Sequence, residues 1–236
     1  MTTDADATGD PKAVLFDMDG VLIDSYRGHH ESWCVVGERD GIEVTEAAFA
    51  ATFGRTNREI IPDLWGQPDL SQDRIEAIGL AKEEAFRTIV KREWPEMPGV
   101  REMLGELHRA GWRLAVCSSG PPTNVTLAVD HFEEVVGVPD GRLFNAVVTS
   151  EDVTRGKPDP QVFQIGAHKL GVRPERCVVV EDAVPGVQAA TAARMACVVI
   201  VSTGHTRDEY DSLNPAVIAD TFGELSVERF SSLVDE

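Results

Sequence analysis

Apolar residues along the chain gather in two rhythms. Four short, unbroken runs, Ala13–Phe16, Leu114–Cys117, Cys177–Val180 and Cys197–Val201, with a weaker one at Ala146–Thr149, have the length and β-branched content of strands buried on both faces. Between them apolar positions recur at helical spacing: Val100–Ala110 stopped by Gly111, Thr123–Phe132, Pro160–Leu170 stopped by Gly171, and Val184–Ala193. Strand alternating with helix predicts an α/β fold with a doubly wound parallel sheet. From about His29 to Glu93 no buried strand is legible and the spacing is helical, most clearly over Ser71–Arg92. A helical insertion therefore interrupts the alternation after the first strand. It is bounded by Asp24 and Ser25 on one side and by the helix-stopping stretch Trp94–Gly99, with two prolines, on the other. The division that follows is a core of residues 11–24 and 97–236, a cap of 25–96 and a flexible tail of 1–10.

Composition narrows the picture. A chain of 236 residues, 42% hydrophobic and 26% charged, is enough for one sizeable core plus a small second unit. With 22 basic against 40 acidic side chains the formal charge is −18, which repels nucleic-acid backbones and anionic membranes and implies no nucleic-acid partner. No apolar run reaches the roughly 18–20 residues of a membrane span. The acidic, polar N-terminus has no signal-peptide pattern. The four cysteines, Cys34, Cys117, Cys177 and Cys197, show no CxxC spacing and read as buried thiols in a reducing cytoplasm. No protein partner is implied.

The chemistry lies at the strand ends. Ligands of open α/β sheets bind at the carboxyl ends of strands, and the first run ends in Asp17, Met18, Asp19, Gly20. Two carboxylates there suit a nucleophile and a proton donor, although Asp and Gly also make ordinary turns. The second strand end offers Ser118, Ser119 and Gly120, a hydroxyl and small-residue N–H groups able to hold phosphate oxygens, or simply a loop. After the weaker strand, Lys157 sits between turn formers before a helix, where it can deliver a point charge or lie solvated. A further strand ends in Glu181 and Asp182; adjacent carboxylates at an apolar strand end call for a cation such as Mg²⁺, the alternative being helix capping by Asp182. Four such strand ends together favour one site for a small phosphorylated substrate.

In this order the residues resemble the haloacid dehalogenase superfamily, in its phosphatase and phosphomutase branch, over about Val14 to Val201: the motifs are Asp17 through Ser25, Ser118, Lys157, and Glu181 with Asp182. The resemblance implies a Rossmann-like core with a small helical cap and a Mg²⁺-dependent reaction through an aspartyl-phosphate on Asp17. It implies Asp19 as acid and base, Ser118 and Lys157 on the phosphoryl oxygens, and Mg²⁺ held by Asp17, the backbone carbonyl of Asp19 and Asp182, with Glu181 in or beside its shell. Metal-free dehalogenases lack the second aspartate, so Asp19 argues against dehalogenation. The segment Phe53–Ile61 resembles the cap loop of the β-phosphoglucomutase-like subfamily, and Ser25, His29 and Trp33 fall on matching positions; His29, Arg55 and Arg58 become candidate substrate contacts, and Trp33 and Trp65 packing residues. Where the mutases carry an arginine and an asparagine, this chain has Asn57 and Pro122, with Asn124 two residues on. The reading is a phosphatase of a small phosphorylated metabolite, with a β-phosphoglucomutase-type phosphomutase as the alternative and a non-enzymatic phospho-acceptor module, which would need neither cap nor Asp19, as the third.

Overall fold

The computed structural model describes residues 10–52, 55–138 and 141–234. Six strands form one parallel sheet: β1 (Ala13–Phe16), β2 (Arg113–Cys117), β3 (Ala146–Val148), β4 (Cys177–Glu181), β5 (Ala196–Ile200) and β6 (Val217–Ala219), in the spatial order β3-β2-β1-β4-β5-β6. The central strand β1 pairs with both β2 and β4, and Phe16 lies opposite Val116 on one side and Val180 on the other. Asp17, Cys117 and Glu181 therefore leave the sheet at one level. The order reverses beside β1, which opens the crevice where doubly wound sheets bind ligands.

Alternation along the strands splits the core into two layers. Val14, Phe16, Leu114, Val116, Val178 and Val180 face α5 (Val100–Arg109) and α6 (Pro122–Val136), while Ala13, Leu15, Ala115, Cys117 and Val179 face α7 (Gln161–Leu170) and α8 (Val184–Ala192). Each helix takes its stop from the chain: α6 and α7 end on the left-handed glycines Gly137 and Gly171. The four cysteines are free, three of them buried in this core and Cys34 half-buried.

Between β1 and α5 lie α1 (Tyr26–Arg39), α2 (Glu46–Ala50), α3 (Asn57–Trp65) and α4 (Gln72–Val90). They bury a separate apolar cluster in which Trp33 meets Trp65 edge to face at 5.9 Å, with Phe49, Ile61 and Ile78 around them. Both tryptophans are packing residues, and Trp65 Nε1 also donates to Asp40 at 2.7 Å. The C-terminal part of α4 belongs elsewhere: Phe86 and Val90 pack with Val21, Leu22 and Ile23 in the main core. Backbone bonds from Asp24 N to the Pro95 carbonyl, 2.7 Å, and from Met97 N to the Leu22 carbonyl, 3.1 Å, hold the two connecting segments side by side.

Strand β6 and α9 (Val227–Ser232) add an edge beyond the sequence reading, which stopped at Val201. Three residues with half-buried Val217 and Ile218 carry too little periodicity to stand out. Among the described residues, no helix is long and apolar enough to cross a membrane.

Candidate active site

The level strand ends bring Asp17, Glu181 and Asp182 together, all buried, with a carboxylate oxygen of each within 4.8 Å of the others. Lys157 enters from the loop before α7, just ahead of a cis Lys157–Pro158 peptide, and its Nζ lies 2.6 Å from Asp17 Oδ1 and 2.5 Å from Glu181 Oε1. It also sits 5.2 Å above the Phe163 ring, so its stem is fixed by packing as well as charge. The solvated alternative for this lysine does not hold.

Three carboxylates facing one ammonium in a dry site leave negative charge in excess. Burial, followed by the charges of Glu181 and Asp19, pushes Asp17 up to about 7 against the pull of Lys157. Asp182 is held well above the usual carboxylate range by burial and then by Glu181 and Asp17. Burial works against the charge on Lys157, but Asp17 and Glu181 outweigh it and keep the ammonium protonated. A hard divalent cation on these oxygens would relieve the same excess, and the donor set fits Mg²⁺.

Neighbouring groups orient the acids. Glu181 Oε2 accepts from the N–H groups of Asp182 and Ala183, at 3.0 and 3.2 Å. Asp182 does not cap α8, whose N-cap is Ala183; its Oδ2 accepts from Ser202 Oγ at 2.6 Å, and the buried Tyr210 hydroxyl donates to its carbonyl. Two glycines leave room for this arrangement. Gly20, at φ +77°, brings the β1 loop so close that a Cβ would lie 1.8 Å from Asp182 Oδ2. On α8, a Cβ at Gly186 would lie 1.9 Å from the Glu181 carboxyl carbon. Gly186→Ala is expected to cost about 1–3 kcal/mol by overpacking and to weaken Mg²⁺ binding through a displaced Glu181. Thermal denaturation with and without Mg²⁺ checks it, and unchanged melting and metal affinity would exclude the fit described.

Asp19 leaves this cluster and faces the inserted helices. Its Oδ1 lies 3.4 Å from His29 Nε2 on α1, while His29 Nδ1 meets Lys82 Nζ of α4 at 2.8 Å. An ammonium has only protons to donate, so Nδ1 accepts and the imidazole proton sits on Nε2, toward Asp19. Burial and the Lys82 charge lower the pKa of His29 and keep it neutral. Burial pushes Asp19 up, but His29, Ser25 and Lys82 together outweigh it and hold the carboxyl below its usual range. Phe86 stacks on the His29 ring at 4.1 Å, and Lys82, 3% exposed, lies over Trp33 and Phe86.

At the β2 end, buried Ser118 accepts from Gly120 N at 2.9 Å, Ser119 is exposed, and a Cβ on Gly120 would lie 3.8 Å from Asp19 Oδ2. Ser118 and Gly120 thus border the same crevice. Arg55 and Arg58 are held by residues of the inserted helices: Arg55 pairs with Asp63 at 2.9 Å and donates to the Glu59 carbonyl, and Arg58 donates to Gln72. The structure does not bring either to the carboxylates. Phe53 and Gly54, the turn invoked for aiming them inward, lie outside the described residues. Lys82, Ser202 and Tyr210 were not legible as site residues: a lysine on a helix normally reads as solvated, and the last two lie beyond the recognised motifs.

A model of haloacid dehalogenase-like hydrolases matches residues 11–194. A CBBY-like protein of Arabidopsis thaliana is 31% identical over 235 residues, covering 93% of this chain and 72% of its own. The phosphorylated carbohydrates phosphatase of Thermotoga maritima is 31% identical over 182 residues, 77% of this chain and 81% of that one. Among solved structures, CbbY from Rhodobacter sphaeroides in complex with phosphate superposes with a TM-score of 0.81 at 25% identity, covering 94% of this chain and 99% of the other.

Proposed function

From membership of the haloacid dehalogenase-like hydrolase family, to which this chain belongs, we propose that it is a Mg²⁺-dependent phosphoric monoester hydrolase. Its substrate is a small phosphorylated carbohydrate or similar metabolite, and the reaction passes through an aspartyl-phosphate on Asp17. The observation that carries the reading is the buried set of Asp17, Glu181 and Asp182 around Lys157, with a second aspartate, Asp19, turned toward the cap. The named phosphatase relative supports the substrate class.

An oxygen of Asp17 attacks phosphorus and the bond to the leaving oxygen breaks, while Asp19 gives that oxygen a proton. Water then attacks the aspartyl-phosphate, Asp19 takes its proton, and inorganic phosphate leaves with Asp17 restored. Ser118, Lys157 and the Ser119 N–H hold the phosphoryl oxygens as charge shifts among them, and the Gly120 N–H holds the Ser118 hydroxyl in place. Asp17, Asp182 and the Asp19 carbonyl would hold Mg²⁺, with Glu181 beside them; when bound it screens the phosphoryl charge from the carboxylates. His29 and Lys82 orient Asp19, whose proton is restored by the attacking water. In this reading residues 25–96 act as a cap over a core of 11–24 and 97–236, excluding bulk water from the aspartyl-phosphate. A cytoplasmic location belongs to the same reading, supported by the free buried thiols.

Phosphate release assayed across hexose phosphates, hexitol phosphates, phosphoglycolate and nucleotides should show Mg²⁺-dependent hydrolysis that chelator removes. Turnover indifferent to chelator would overturn the reading. Slow hydrolysis with turnover primed by a sugar bisphosphate would instead establish the phosphomutase.

A further inference from the structure

One buried amide of the core bonds two side chains of the inserted helix α4. Asn124, on α6 of the core and 4% exposed, donates from Nδ2 to Glu83 Oε2 of α4 at 2.6 Å, and its Oδ1 accepts from Arg87 at 2.9 Å, one helical turn further along α4. Donor and acceptor ends of the amide are both matched, so its orientation is fixed. Arg87 also donates to Thr123 at 3.2 Å. Glu83 then continues inward. Its Oε1 accepts from Lys82 Nζ at 2.9 Å and from Asn57 Nδ2 at 2.7 Å, and Lys82 is the residue that fixes the His29 tautomer opposite Asp19. A continuous set of polar contacts therefore runs from α6 of the core, through the cap, to the carboxylate at the end of β1.

We propose that Asn124 is a positioning residue for proton transfer: by clasping Glu83 and Arg87 it holds the cap where Lys82 and His29 orient Asp19 toward the leaving oxygen. The inference rests on the phosphatase reading and adds a residue to it. Without the clasp, Lys82 keeps Glu83 and Arg87 keeps Thr123, but the Glu83 carboxylate loses the bond that fixes it to α6. Asp19 then faces an imidazole that is no longer set against it.

The chemistry of the leaving group separates this role from a merely structural one. The alkoxide of a sugar phosphate must be protonated as it departs, whereas 4-nitrophenolate leaves without a proton. Asn124→Ala and Asn124→Asp, the latter setting a carboxylate against Glu83, should lower kcat/KM for a hexose phosphate about tenfold or more. With 4-nitrophenyl phosphate the loss should stay under about threefold. The exchange Asn124→Asp with Glu83→Gln restores a carboxylate–amide bond of reversed polarity, and it should regain most of the hexose phosphate activity that Asn124→Asp alone loses.

Equal losses on both substrates, undiminished activity of Asn124→Asp on the hexose phosphate, or an exchange variant no better than Asn124→Asp would each overturn the proposal. Failure of the unsubstituted protein to hydrolyse either ester would instead overturn the phosphatase reading. Hydrolysis of 4-nitrophenyl phosphate by the variants also reports that they are folded.

Discussion

Substituting Asp17 by asparagine is expected to lower Mg²⁺-dependent phosphate release by at least about ten-thousandfold, the scale of losing a nucleophile. The amide keeps the shape of the carboxylate and can still accept from Lys157, which lies 2.6 Å from Asp17 Oδ1. The missing property is nucleophilicity. In the intact protein, acid quenching during turnover should trap phosphate on residue 17 as an acyl phosphate that hydroxylamine releases, and the variant should yield none. Because burial and neighbouring acids disfavour the Asp17 anion, the metal-free variant should melt at or above the temperature of its parent near neutral pH. Substantial turnover by Asp17→Asn would exclude Asp17 as the attacking group, and its lower melting temperature would point to a scaffold role.

The second large effect concerns the cation inside the acid cluster. Lys157→Met keeps the unbranched stem, one atom shorter, and removes the charge from Asp17 and Glu181. Breaking a buried pair in this way typically costs about 3–5 kcal/mol, and hydrolysis should fall with it. The deficit has a defined pH dependence. Folding holds Asp17 near 7 and Asp182 well above its ordinary range, so the folded metal-free protein binds protons that the unfolded chain has already released. These two groups therefore contribute stability that grows as pH falls from about 7 toward the ordinary carboxylate range, near 4, while His29, Asp19 and Glu83, all held below their usual values, contribute in the opposite sense. Lys157→Met should steepen that rise, and Mg²⁺ should stabilise the variant at neutral pH more than it stabilises the parent. Denaturant titrations at pH 5 and 7.5, with and without Mg²⁺, measure all three. A metal-free variant whose pH dependence matches that of the metal-free parent would show that Lys157 is not in electrostatic contact with these carboxylates.

Which parts of this arrangement the chain reveals on its own follows from local contrast. Asp17, Glu181 and Asp182 each end an unbroken apolar run, and an acid at the edge of a buried strand is conspicuous. Lys157 stands out because two turn-forming residues frame it. The sheet order is not written locally, since β1 pairs with strands about 100 and 165 residues away in the chain. Lys82 and Glu83 look like the polar face of an ordinary helix, and burial of Lys82 comes from Trp33 and Phe86 on separate turns and helices. Asn124 could be noted only as a displaced asparagine, because its two partners lie on the inserted helices. Arg55 and Arg58 fail in the other direction. Charge suggested substrate, but Asp63, eight residues on, and Gln72 at the start of the next helix engage them in the structure.

Helix α4 has one further mechanical meaning. It spans 19 residues, so it is about 28 Å long. Its C-terminal end is anchored in the core by Phe86 and Val90, while Ile75 and Ile78 near the other end belong to the cap cluster. Such a rod is a lever whose fulcrum lies beside the connecting segments. A tilt of about 10° at Val90 sweeps the Gln72 end through about 5 Å but shifts Lys82, near the middle, by less than half of that. In the cap reading, opening at the far rim would thereby be geared to a smaller displacement beside Asp19.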